Sequence, residues 1–198
     1  IPSLFCANTE TALVDWDKAS QPLSGKARPI ILYGKIAHLK SGFVGRRKEI
    51  RECMRFFRDR KPPAVCITGA GGIGKSTLST KIADILAKTG YWVVPIRGEC
   101  TGDLFIQETM KTLISHKALE HYEFLKGLTA LDEKIIYILS NVMGEHPVLY
   151  LLDNFEDNLS QAAGFKEFKN PFWEKTFHTI LEQLAHTSSS LFITCRYT

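Results

Sequence analysis

The stretch VCITGAGGIGKSTLSTKIADIL, Val65 to Leu86, leaves few folds open to this chain. It begins as an apolar, strand-like run. Four glycines then fall within the six positions Gly69 to Gly74, and Leu78, Ile82, Ile85 and Leu86 follow at helical spacing. Gly69-Ala70-Gly71-Gly72-Ile73-Gly74-Lys75-Ser76 fits G-x-x-x-x-G-K-[ST] in the setting that pattern requires, after a strand and at the mouth of a helix. Glycines let successive backbone N–H groups turn inward and approach an anion with no Cβ in the way, and the helix adds the partial positive charge of its N-terminus. The anion such a loop suits is the phosphate chain of a nucleotide. Lys75 is expected to reach β- and γ-phosphate oxygens, the Ser76 hydroxyl to meet the Mg²⁺ that accompanies the nucleotide, and Thr77 to belong to the nucleotide-binding loop.

The remaining periodicities place this unit in an alternating series. A helix carrying Ile50, Cys53, Met54 and Phe57 precedes Lys61-Pro62-Pro63 and a strand over Ala64 to Thr68. Beyond the helix that ends near Gly90, Tyr91 to Arg97 reads as a strand, and Pro95 confines it to a sheet edge or an end because proline cannot donate to the ladder. Two helices are predicted next, one with Leu104, Phe105, Met110, Leu113 and Ile114 and one with Leu131, Ile135, Ile138, Leu139 and Val142. Val148 to Leu152 is an unbroken apolar run suited to a strand covered on both faces. A helix with Trp173, Phe177, Ile180, Leu181 and Leu184 leads to a last strand, Leu191 to Thr194. Strands alternating with helices predict an α/β fold with a parallel sheet.

Composition excludes several classes. The 198 residues are 44% hydrophobic, enough to bury a core, yet no apolar run approaches a membrane span, so no membrane partner is expected. Five scattered cysteines with no C-x-x-C pair argue against a disulfide framework or a zinc site and suit a reducing cytosol. The six histidines form no H-x-x-x-H or H-E-x-x-H pair and are assigned nothing. The formal net charge is +4, while between Arg46 and Lys61 eight basic residues stand against three acidic ones, so the excess lies on one helix. Such a run reads first as a solvated face and only second as a surface for nucleic acid or an acidic partner. Residues 1–42, with no sustained period and no initiator Met, read as the tail of a preceding domain plus a linker; residues 43–198 read as the nucleotide-binding core.

The second half of the site is expected where the buried run Val148 to Leu152 ends. Asp153 stands there, where a carboxylate can hold a water of the Mg²⁺ shell; Asn154, Phe155, Glu156 and Asp157 follow, a Walker B arrangement to match the Walker A loop. No glycine lies three places after Asp153 and no N-K-x-D string occurs, which counts against GTP. Asp153 and Glu156 can divide the work, one steadying the metal and one orienting the attacking water. Asn154 can position a water but cannot take its proton, so slow turnover is expected unless Glu156 reaches the site.

Four stretches in order resemble one family, the STAND branch of P-loop ATPases with its NB-ARC/AP-ATPase members. FVGRRKE, Phe43 to Glu49, looks like its hhGRxxE signature; GAGGIGKSTL resembles its phosphate loop, LLDNFE its Walker B and FITCR its strand-end T-x-R sensor. The resemblance spans about residues 43–198. It implies a three-layer P-loop NTPase of the ASCE type, with order 1-4-3-2 for the strands present and the fifth strand and winged-helix region beyond Thr198. It further implies that Phe43, Val44 and Arg46 lie near the adenine side of ATP or ADP and that Arg196 reads the γ-phosphate. The function it implies is a cytoplasmic signal-transduction switch, a Mg²⁺-dependent NTP hydrolase of low turnover that self-associates or meets a signalling partner. The alternative is a nucleic-acid-dependent ATPase of the replication-initiator or archaeal type, its basic helix touching phosphates.

Overall fold

The structure, a computed structural model, describes residues 45–59, 64–162 and 165–196. Four strands form a parallel sheet: β1 (Ala64–Thr68), β2 (Trp92–Arg97), β3 (Val148–Asp153) and β6 (Ser190–Cys195), in the order β1-β6-β3-β2. Counting only these strands the order is the expected 1-4-3-2. Every residue of β3 and β6 is buried, which explains why these two runs are apolar without alternation and why they occupy the middle of the sheet. Pro95 lies opposite Leu151 on β2, which has a described neighbour on one side only, so its missing N–H costs no ladder bond on that outer edge. The register sets Thr68 beside Cys195, Leu152 beside Ile193 and Arg97 beside Asp153, so all four strands end at one edge.

Alternate residues of each strand serve opposite layers. On one face α1 (Arg47–Asp59) and α2 (Lys75–Lys88) pack Ile50, Cys53, Phe57, Leu78, Ile82 and Leu86 onto Val65, Val93, Leu149, Leu151 and Phe192. Phe57 meets Phe192 edge to face at 5.5 Å between ring centres. On the other face Val94, Ile96, Tyr150, Leu152, Leu191 and Ile193 are covered by α3 (Gly102–Ser115), α5 (Leu131–Tyr137) and α6 (Pro171–Leu184). The polar groups this buries are paired: Tyr150 Oη lies 3.0 Å from Thr109 Oγ1, and burial pushes that phenol above its ordinary range. Local sequence sets the helix starts, since Thr101 Oγ1 accepts from the Leu104 N–H and Asn170 Oδ1 from the Phe172 N–H just before Pro171.

Three features depart from the expected pattern. A third helix, α4 (Leu119–Gly127), stands between the two predicted ones; it buries only His121 and Leu125, too few apolar positions to show a period. The stripe from Leu131 to Val142 is not one α-helix: α5 gives way to a π-turn, Ile138–Val142, and a last helical turn, Met143–Glu145. Between β3 and α6 an antiparallel hairpin is inserted, β4 (Leu159–Ala162) with β5 (Phe165–Phe168). Its Phe168 closes on Phe155 and Phe177, so the hairpin is held by aromatic contacts from distant elements and not by strand propensity. Among the described residues no helix is long and apolar enough to cross a membrane. The 1–42 segment lies outside the described residues.

Candidate functional site

The glycine loop joins β1 to α2 at the edge where the strands end. Gly74, the residue before α2, is left-handed with φ 85° and ψ 26°, a conformation that would strain any side chain, and its carbonyl accepts the first helical bond from Leu78. Lys75 is buried, and its ammonium turns back over the loop to donate to the carbonyls of Gly69 at 2.7 Å and Ala70 at 3.0 Å. Ser76 and Thr77 are half-buried in the first turn of α2, and the Ser76 carbonyl accepts from the hydroxyls of Ser79 and Thr80. Gly71, Gly72 and Ile73 are exposed. Arg46, itself left-handed at φ 53°, donates from Nη2 to the Ile73 carbonyl and so joins the loop from the start of α1. Phe43 and Val44 lie outside the described residues.

Two strand ends supply the facing groups. Asp153 closes β3 and is 1% exposed; its Oδ1 accepts from the Thr194 hydroxyl at 2.7 Å, and the same hydroxyl oxygen accepts from the Asn154 N–H at 3.1 Å. Its Oδ2 is buried without a hydrogen-bond partner, 3.6 Å from Nε of Arg97. A buried carboxylate oxygen without a donor is costly, and a hydrated divalent cation meets that requirement. The donors suit Mg²⁺, which prefers hard oxygens: the Ser76 hydroxyl and Asp153 Oδ2, an oxygen that pairs with Arg97 but makes no hydrogen bond.

Asn154, expected to matter as an amide standing where an acid could be, sits in the left-handed region at φ 60° and ψ 48°. Asparagine is among the few side chains that tolerate that conformation, so the turn itself accounts for the residue. The chain then enters a 3-10 turn, Phe155–Asn158, that carries Glu156. Both Glu156 oxygens are engaged by one residue: Oε1 pairs with Arg196 Nε at 2.8 Å and Oε2 accepts from the Arg196 N–H at 3.1 Å. The Arg196 guanidinium lies over the phosphate loop, since a Cβ added at Gly71 would come within 3.8 Å of it. Arg196, Glu156 and the loop thus form one cluster, with the acid held by the arginine.

The sequence matches the AAA ATPase domain family over residues 42–168. The chain belongs to that family. No curated protein matches the sequence. This AAA ATPase domain is accordingly a nucleotide-binding P-loop module, and its matched span holds both the glycine loop and the Asp153 strand. Arg196 lies past the matched residues, so its place rests on geometry alone.

Two residues of the AAA ATPase domain's site were not singled out by sequence. Thr194 was legible only as the first letter of the T-x-R string, yet it bridges Asp153 to the Asn154 backbone. Asn158, 1% exposed, has all its hydrogen-bonding groups in use: Oδ1 accepts from the Cys100 N–H at 2.7 Å and from Trp173 Nε1 at 2.8 Å. Its Nδ2 donates to the carbonyls of Gly98 at 2.9 Å and Phe155 at 3.2 Å. It fastens the loop after β2, the Glu156 turn and α6 to one another, and no local pattern announces an asparagine with that task.

Proposed function

We propose that this AAA ATPase domain is a switch that binds ATP and ADP with different consequences and hydrolyses ATP slowly. The observation that carries this is the position of Arg196, poised over Gly71 while held by both oxygens of Glu156. A γ-phosphate seated in the loop competes with Glu156 for that guanidinium, so triphosphate and diphosphate meet different partners, the differential contact a nucleotide switch requires. Loss of Arg196 as a partner leaves the Glu156 carboxylate free to orient and deprotonate a water, while Lys75 exchanges its loop carbonyls for phosphate oxygens. Ser76 and Asp153 are the residues that would hold Mg²⁺, which when bound neutralises phosphate charge. Thr194 aims the Asp153 carboxylate by fixing its other oxygen. Arg46 completes the loop from the side expected to face the base.

The finer assignment, a STAND-type signalling module that changes its assembly with nucleotide, is supported by the FVGRRKE and FITCR stretches flanking the two shared motifs. The test is to measure ATP and ADP affinity, sedimentation and turnover for the protein and for Arg196→Ala. The protein should prefer ATP and assemble with it regardless of DNA, and the variant should lose about tenfold of that preference, the equivalent of ~1.4 kcal/mol in one charge-assisted contact. Equal ATP and ADP affinities in the unaltered protein would refute the switch. Turnover stimulated steeply by DNA at low salt would instead favour a nucleic-acid-dependent ATPase using the basic face of α1.

A further inference from the structure

Sequence spacing joins none of the six histidines, but folding brings two of them together at the edge of the sheet away from the phosphate loop. His121 lies in the first turn of α4, and His146 follows the helical turn Met143–Glu145 just before β3. One ligand atom each from His121, Glu145 and His146 lie within 4.8 Å of one another. His121 Nε2 and Glu145 Oε2 are 3.4 Å apart. That is long for a hydrogen bond, but two ligands on a tetrahedral ion with bonds of about 2.0–2.2 Å stand roughly 3.3–3.6 Å apart, since a tetrahedron's edge is about 1.6 times its radius.

The surroundings orient these groups as a metal centre needs. His121 Nδ1 lies 2.8 Å from Tyr137 Oη, so with the proton on Nδ1 donated to the phenol, the Nε2 lone pair faces Glu145. His146 is stacked flat on Trp92, with centroids 3.8 Å apart and planes at 21°, and meets His121 edge to face. Its backbone is anchored at both polar groups: the N–H donates to Val142 O at 3.1 Å, and the carbonyl accepts from Ser189 Oγ at 3.0 Å. His121 is buried while Glu145 is exposed, which gives the pair of nitrogens a fixed inner wall and an open path from solvent.

We propose that His121, Glu145 and His146 bind one divalent transition-metal ion of the zinc class, with the fourth position open to water. Two imidazoles and a carboxylate suit Zn²⁺ better than Mg²⁺ or Ca²⁺, which prefer all-oxygen shells. The site is separate from the nucleotide: Trp92 opens β2 and His146 precedes β3, whereas the loop leaves the opposite strand ends, roughly 16 Å of strand away. The ion would clasp α4 to the segment that feeds the central strand.

Titration of chelator-stripped protein with Zn²⁺ by calorimetry, and with Co²⁺ by visible absorption, tests this. One equivalent should bind, and Co²⁺ should show the d–d bands of a four-coordinate nitrogen and oxygen site. Glu145→Gln changes an exposed side chain and leaves the fold intact; it should weaken Zn²⁺ at least tenfold, as should His146→Ala. Tyr137→Phe, which removes only the group orienting His121, should cost about tenfold. Zn²⁺ affinity unchanged by Glu145→Gln and His146→Ala, or sulfur-to-cobalt charge-transfer bands, would overturn the proposal, the first leaving the 3.4 Å contact a simple ion pair.

Discussion

Replacing Asn158 with alanine removes a side chain that is 1% exposed and makes four hydrogen bonds. Two buried donors, the Cys100 N–H and Trp173 Nε1–H, lose the oxygen they share, and each unsatisfied group costs about 1–3 kcal/mol. The carbonyls of Gly98 and Phe155 lose a neutral donor as well, but each has a second lone pair, so their share is smaller. The two donors together account for about 2–6 kcal/mol, and at ~2–4 °C per kcal/mol for a domain of this size the melting temperature should fall by roughly 4–24 °C. Thermal unfolding followed by circular dichroism reads this directly. Trp173→Phe alone should be milder, about 1–2 kcal/mol, because Asn158 Oδ1 keeps the Cys100 N–H. Combined with Asn158→Ala, the indole's polar cost should largely disappear, a coupling of about 1 kcal/mol in a double-mutant cycle. A loss below about 1 kcal/mol for Asn158→Ala, or strict additivity of the two changes, would show that the network does not hold these loops together. At temperatures where the variant is still folded its ATP turnover should also drop, since Asn158 ends the turn that carries Glu156.

Lys75→Ala should weaken ATP about 100-fold, two charge-assisted contacts' worth, yet barely move the melting temperature because the Gly69 and Ala70 carbonyls it releases can turn to water; unchanged affinity measured by calorimetry in a folded variant would refute its assignment. Glu156→Gln should keep ATP binding while cutting turnover at least tenfold in a phosphate-release assay, and undiminished turnover would show that the carboxylate only positions Arg196. Burial, ahead of nearby carboxylates, pushes the Cys53 and Cys100 thiols up to about 12, so at pH 8 both remain protonated and should resist alkylation in the native protein, reacting only after denaturation when peptides are read by mass spectrometry.

The sequence by itself determined whatever depends on neighbours along the chain. The glycine loop needs only glycines where the backbone takes positive φ, here Gly69, Gly72 and Gly74, then a lysine and a helix start, so its local shape was legible from Gly69 to Thr77. Runs such as Val148 to Leu152 disclose burial on both faces because no polar residue interrupts them, and Pro95 disclosed an edge because a missing N–H is a local fact. Short elements were harder: α4 buries two residues and β4 with β5 depends on Phe168 meeting Phe155 and Phe177, so neither carries enough pattern within its own length. Tertiary structure alone decided which distant groups meet. Arg196 finds Glu156 across 40 positions, Asn158 reaches Cys100 across 58, and His121 and His146 converge because a helix and a π-turn bring them to one strand entrance. Periodicity reports which face of an element is buried, but the partner of a polar side chain is set by how layers stack, and that information is absent from any single window of sequence.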